Sequence, residues 1–191
     1  MNLAEPKGRM TVLSPAAEAF HRLEPRPTAP RIARLDGARV GFVENGFTSL
    51  AILHEEIRRS LEKLGITPVI ERKRYWRPLE PAQLDSLVAG TDVVIGGLCN
   101  TPPSTAWGVH DAIELERRGV PTVTLATAYY EELLTESAAT EGMPDLRRVI
   151  LPYPLEGRPE PEVRAIARRA VNAILGALTK ADAPATVRVT E

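Results

Sequence analysis

The chain has 191 residues, 43% hydrophobic and 26% charged, with a formal net charge of -1. That length and mix fit one globular domain with a real core, and the near-zero charge argues against nucleic acid or a membrane surface as the main partner. A single cysteine forms no internal disulfide, no apolar run approaches the roughly 20 residues that span a bilayer, and the amino-terminal stretch lacks a signal-peptide core, so the expected location is cytoplasmic.

Residues 1–37 are rich in proline and arginine and read as an extended arm, with an apolar piece at 10–13 and a short helix started by Ser14-Pro15. Arms of this kind often cross to a neighbouring subunit, which makes a homo- or hetero-oligomer the expectation, with a disordered arm as the alternative. Regular patterning begins at Arg39. Arg39-Val40-Gly41-Phe42-Val43 reads as a first strand, ended by a turn at Glu44-Asn45-Gly46. Thr48 or Ser49 is a candidate cap for a helix whose apolar stripe is Leu50, Leu53, Ile57, Leu61 and Leu64, stopped by Gly65. Residues 66–70 read as the second strand. Next comes Arg72-Lys73-Arg74-Tyr75-Trp76-Arg77, the sharpest charge run, read either as a solvated loop or as a cationic rim. Pro78 and Pro81 bracket the start of the next helix, which ends at Gly90.

The stretch from 91 to 115 is the focus of the chain. A buried strand at 93–96 is expected to break at Gly96-Gly97, followed by a polar loop with Cys99, Asn100 and Thr101. Ser104 or Thr105 would cap a helix bearing Trp107, His110, Asp111 and Glu114. A fourth strand is read at 121–126, a helix at 129–140, a fifth strand at 149–151 and a last helix at 160–178. The tail at 179–191 shows no period and is expected to fray. The domain division is therefore an arm at 1–37, one α/β domain at 38–178 and the tail.

Five strands alternating with helices predict a mostly parallel sheet in a three-layer, flavodoxin-like sandwich with strand order 2-1-3-4-5. In that order the loops at Glu44-Asn45-Gly46 and 97–104 face each other across a crevice at the carboxyl edge, where ligands bind in such folds.

Three stretches, residues 29–46, 105–123 and 142–157, resemble the UGSC-type (seleno)protein family of small α/β proteins. The most specific part is W-x-V-H-D-A-I-x-L-E-x-x-G-x-P-T, running from Trp107 to Thr122. Members of that family place a selenocysteine or cysteine, then Gly-Ser-Cys, just before this segment. Aligned without gaps from Trp107, the two chalcogen positions fall on Thr101 and Ser104. With a two-residue insertion Cys99 stands for the first, and the second is absent. The resemblance implies thiol or selenol redox chemistry, whereas these residues form no vicinal pair within the loop.

Each site residue carries two readings. Cys99 is a small buried residue or, ahead of a helix start, a thiolate nucleophile. Ser104 and Thr105 cap the helix or, with the nearby backbone amides, hold an oxyanion. Ser104 and His110 lie too far apart along one helix for a direct pair. His110 packs between helix and sheet or moves protons, a role the resemblance favours. His110 and Asp111, being adjacent, form no dyad. Glu44 is a proton carrier or a turn carboxylate. Asn45, Gly97, Asn100, Thr101, Asp111, Thr127 and Tyr153 would complete a substrate-binding wall.

No ligand spacing for a metal, no dinucleotide fingerprint, no P-loop and no flavin phosphate loop is seen, so no cofactor is expected. The first expectation is an enzyme acting on a small anionic organic substrate by thiol-dependent redox, lyase or hydrolytic chemistry. The alternative is a non-catalytic or partner-dependent subunit of a hetero-oligomeric enzyme, using the arm and the 72–77 loop.

Overall fold

The structure, a computed structural model, describes residues 24–190. The apolar piece at 10–13 and the short helix after Ser14 lie outside the described residues. In chain order the elements are β1 (Val40–Glu44), α1 (Thr48–Glu62), β2 (Val69–Arg72), α2 (Pro81–Gly90), β3 (Val93–Cys99), α3 (Pro102–Arg117), β4 (Thr122–Thr127), α4 (Glu131–Thr140), β5 (Arg148–Leu151), α5 (Glu160–Thr179) and β6 (Thr186–Arg188). The sheet order is β2-β1-β3-β4-β5-β6, and every pairing is parallel. This is the expected flavodoxin-like α/β sandwich with one strand more.

The extra strand corrects the reading of the tail. Val187 pairs with Val149, and Val187 and Val189 pack against the main core. A three-residue strand is too short for its alternation to stand out in the sequence. The second strand also begins later than expected, at Val69, directly after Pro68, which has no N–H to give to the ladder. Its side chains are mostly exposed, as suits an edge.

α1 and α5 pack together over one face of the sheet, while α2, α3 and α4 line up over the other. Alternation along the strands divides the core accordingly. Phe42, Val93 and Ile95 face α1 and α5, and Val43 and Val94 face α2 and α3. In β3 this alternation is interrupted. Ile95 pairs with Val123 and Leu98 with Leu125, so three steps in β3 match two in β4. The strand therefore does not break at Gly96-Gly97; it bulges there and runs on to Cys99. The extra residue inverts the facing of the rest of the strand. Leu98 joins the α1/α5 core, and Cys99 is turned beneath α3 and α4.

At the opposite, amino edge the described part of the arm lies against the domain. Arg26 N donates to Gly142 O at 2.8 Å. Glu116, at the end of α3, accepts from Ala29 N at 2.6 Å, from Arg31 Nη2 at 2.7 and 2.8 Å, and from Thr122 N at 2.6 Å. Both side chains of the Arg31–Glu116 pair are sealed from solvent. Dehydrating a buried carboxylate costs on the order of several kcal/mol, and this one is offset by a guanidinium and two backbone donors.

Candidate functional site at the carboxyl edge

The central loop is organised by a capping arrangement one turn earlier than expected. Thr101, not Ser104 or Thr105, is the N-cap of α3, with Pro102 and Pro103 in the first helical positions. Ser104 N donates to Thr101 Oγ1 at 3.3 Å, and Ser104 Oγ accepts from Asn100 N and Thr101 N, each at 2.9 Å. Thr105 Oγ1 donates to Thr101 O at 2.8 Å. Ser104 and Thr105 are fully buried. Their hydroxyls, and the two loop amides, are committed to one another. Asn100 is partly exposed, and its Oδ1 accepts from Thr127 Oγ1 at 2.9 Å, joining the tips of β3 and β4.

Cys99 is wholly buried, with burial pushing its thiol up to about 12 against the nearby Lys73 charge. A helix start by itself favours thiolate, one of the two readings the sequence offers. Desolvation wins because the bulge has placed the sulfur under α3, so close to Gly108 that a Cβ there would sit 2.9 Å from it.

The crevice between β1 and β3 is occupied by the protein itself. Backbone pairing between these strands ends at Phe42 and Ile95. Beyond the bulge the Asn45 side chain takes over: Nδ2 donates to Leu98 O at 2.9 Å, and Leu98 N donates to Oδ1 at 3.3 Å. Asn45 is fully buried, and a Cβ on Gly97 would come within 2.9 Å of its amide. The two loops do face each other, as expected, but Asn45 fills the gap between them and Gly97 is glycine to make room.

A second seat for anions is filled in the same manner. Neither Thr48 nor Ser49 caps α1; Glu156, from the loop after β5, does so from outside. Its carboxylate accepts from Thr48 N and Ser49 N, each at 3.1 Å, and from Ser49 Oγ at 2.5 Å. Nothing periodic marks Glu156 in the sequence.

Glu44 Oε2 lies 2.9 Å from Arg72 Nε, and its Oε1 3.9 Å from His54 Nδ1. His54 and then Arg72 hold this carboxylate below its ordinary range, against its partial burial. His54 is stacked on Phe42 with ring centroids 4.4 Å apart, and neither ring nitrogen has a hydrogen-bond partner among the described residues. Burial pushes its pKa down.

Asp111 is buried and forms an ion pair with buried Lys73. It also accepts from Leu79 N at 2.9 Å, fixing both ends of the 73–79 loop to α3. Burial raises its pKa despite the lysine. Asp111 thus anchors a loop and does not face the Asn100–Thr101 surface.

His110 is half-exposed and turns to the end of α4, where its Nδ1 lies 3.7 Å from Glu141 Oε2; Trp107 meets it edge-on at 5.8 Å. Burial raises Glu141. No hydrogen bond, ion pair or ring contact joins the His110 side chain to residues 97–105 among the described residues. The structure therefore leaves Cys99, Ser104 and His110 apart: one beneath the helix, one inside its cap, one on its outer flank.

Tyr153 is exposed and stacks on Tyr129 at 5.1 Å, with Tyr130 edge-on to both. Across the same edge Phe47 meets Tyr75 at 5.4 Å, and Tyr75 meets Trp76 at 4.7 Å. The carboxyl edge thus has aromatic flanks at β1/β2 and at β4/β5 with a polar centre at Asn100. In the second flank only Tyr153 is marked by the sequence, from its place at a strand end. Among the described residues no helix is long and apolar enough to cross a membrane, and no group of three or more His, Cys, Asp or Glu is placed to hold a metal ion.

Fold and site together define a parallel α/β sandwich whose customary ligand positions are taken by its own side chains. The UGSC family model matches residues 11–180, and the chain belongs to that family. No curated protein matches the chain. Among solved structures it is similar to a flavo di-iron protein variant from Thermotoga maritima, at 11% identity and a TM-score of 0.48. That alignment covers 82% of this chain and 38% of the other, so the chain spans under half the length of that protein.

Proposed function

We propose that this chain is a partner-dependent member of its family, which binds at the carboxyl edge of the sheet and supplies no redox chalcogen of its own. One observation carries the reading. Thr101 and Ser104, at the positions where the resemblance puts the chalcogen pair, are tied into the cap of α3. The lone thiol is buried and held in its protonated form. A nucleophile must be both accessible and ionised, and Cys99 is neither. The aromatic flanks, with Tyr129 70% exposed, support an edge that meets another molecule.

Titration with a disulfide reagent at about pH 8, near the ordinary thiol value, tests the chemical half of this reading. The folded chain should give no fast-reacting thiol, and the unfolded chain one. The other half is read by sedimentation of an equimolar mixture with a family subunit that carries an intact Cys-Gly-Ser-Cys motif. A stable complex is expected. Rapid labelling of Cys99 in the folded chain, or two chains that sediment independently, overturns the proposal.

A further inference from the structure

We infer that the loop between β2 and α2 is a seat for a small carboxylate or phosphate ligand, with Arg74 and Arg77 as its anchors. This goes beyond partner dependence and holds whether or not a second subunit is present. Arg72, Lys73, Arg74 and Arg77 crowd four cations into six residues. Two are satisfied internally, Arg72 by Glu44 and Lys73 by Asp111. Arg74 and Arg77 are exposed, and neither has a carboxylate partner among the described residues. Arg74 lies over the Trp76 ring, 5.2 Å from its centroid, and Arg77 N donates to Arg74 O at 3.1 Å, closing the turn that carries both.

These residues line a hollow of about 480 Å³ with Arg72, Trp76, Pro78 and Gln83, and Glu80 is the lone carboxylate in its wall. The hollow is held from below. The Lys73–Asp111 pair and the Leu79–Asp111 bond pin the loop to α3, and Gln83 Nε2 donates to Arg72 O at 2.8 Å. Two like charges kept on one short turn repel each other, and an anion between them relieves that repulsion. Guanidinium groups present paired donors matched to the oxygens of a carboxylate or phosphate. Trp76, 44% exposed, offers an apolar surface to the carbon skeleton of such a ligand. With the β1/β3 crevice closed by Asn45 and the start of α1 by Glu156, this is the concave cationic surface left at the carboxyl edge among the described residues.

Trp76 itself reports the test. In a Trp107→Phe background its emission is titrated with inorganic phosphate and with succinate at constant ionic strength. Calorimetry on the unsubstituted chain reads the same binding without that variant. A saturable response to either anion is expected. Arg74→Gln and Arg77→Gln should each weaken it about tenfold, as loss of one charge-assisted contact does. Arg58→Gln, which removes a cation on α1, should leave it unchanged. Absence of saturation with both anions, or an equal loss in Arg58→Gln, overturns the inference.

Discussion

Asn45 does with a side chain what the backbone of β1 and β3 no longer does beyond the bulge, exchanging two hydrogen bonds with Leu98 inside the protein. Asn45→Ala should therefore leave a buried N–H and a buried carbonyl without partners. Each such loss costs roughly 1–3 kcal/mol, so urea denaturation should read a stability lower by about 2–6 kcal/mol. Asn45→Asp keeps the acceptor but sets a buried carboxylate oxygen against Leu98 O, and should cost at least as much as Asn45→Ala. The sequence marks Asn45 and Gly97 as facing residues, and they do face. What it hides is who fills the space, because a polar turn residue reads alike whether it points to solvent or plugs a gap. The fate of Cys99 is hidden for a related reason. Its facing depends on one extra residue in the β3–β4 register, and a Gly-Gly pair signals a break or a bulge equally.

Helices are the legible elements. α1 and α5 repeat apolar residues at three and four, and their observed spans match that period. The edge strands β2 and β6 are misplaced or missed in the sequence, since an exposed or very short strand carries little alternation. The joint between arm, α3 and β4 is equally silent, although Ala29, Arg31, Glu116 and Thr122 all fall in the stretches that resemble the family. Glu116 reads on the helix as one charge in the run Glu114-Leu115-Glu116-Arg117-Arg118. In space it is the node of a buried network. Arg31→Ala should leave its carboxylate without a counter-charge and cost about 3–5 kcal/mol. Thermal denaturation measures this, and Arg34→Ala, whose side chain is exposed on the same segment, should leave stability nearly unchanged.

For the molecule as a whole, pH acts through a histidine that the fold keeps neutral. His54 has a depressed pKa when folded, whereas the unfolded chain takes up its proton near about pH 6.5. Below that pH the unfolded state binds more protons than the native state, so stability falls as pH falls. The slope contributed by His54 is at most about 1.4 kcal/mol per pH unit, and it ends at the folded pKa. Chemical denaturation between pH 7.5 and 5 should show the decline, and His54→Leu should flatten it. Acid thus loosens the layer formed by α1 and α5, which is otherwise fastened at two points. Glu156 grips the start of α1 from the loop that leads into α5, and roughly two turns along Arg164 of α5 grips Glu55 and Glu56 of α1 at 2.6 and 3.0 Å. Two fastenings on one pair of helices make them move as a single plate.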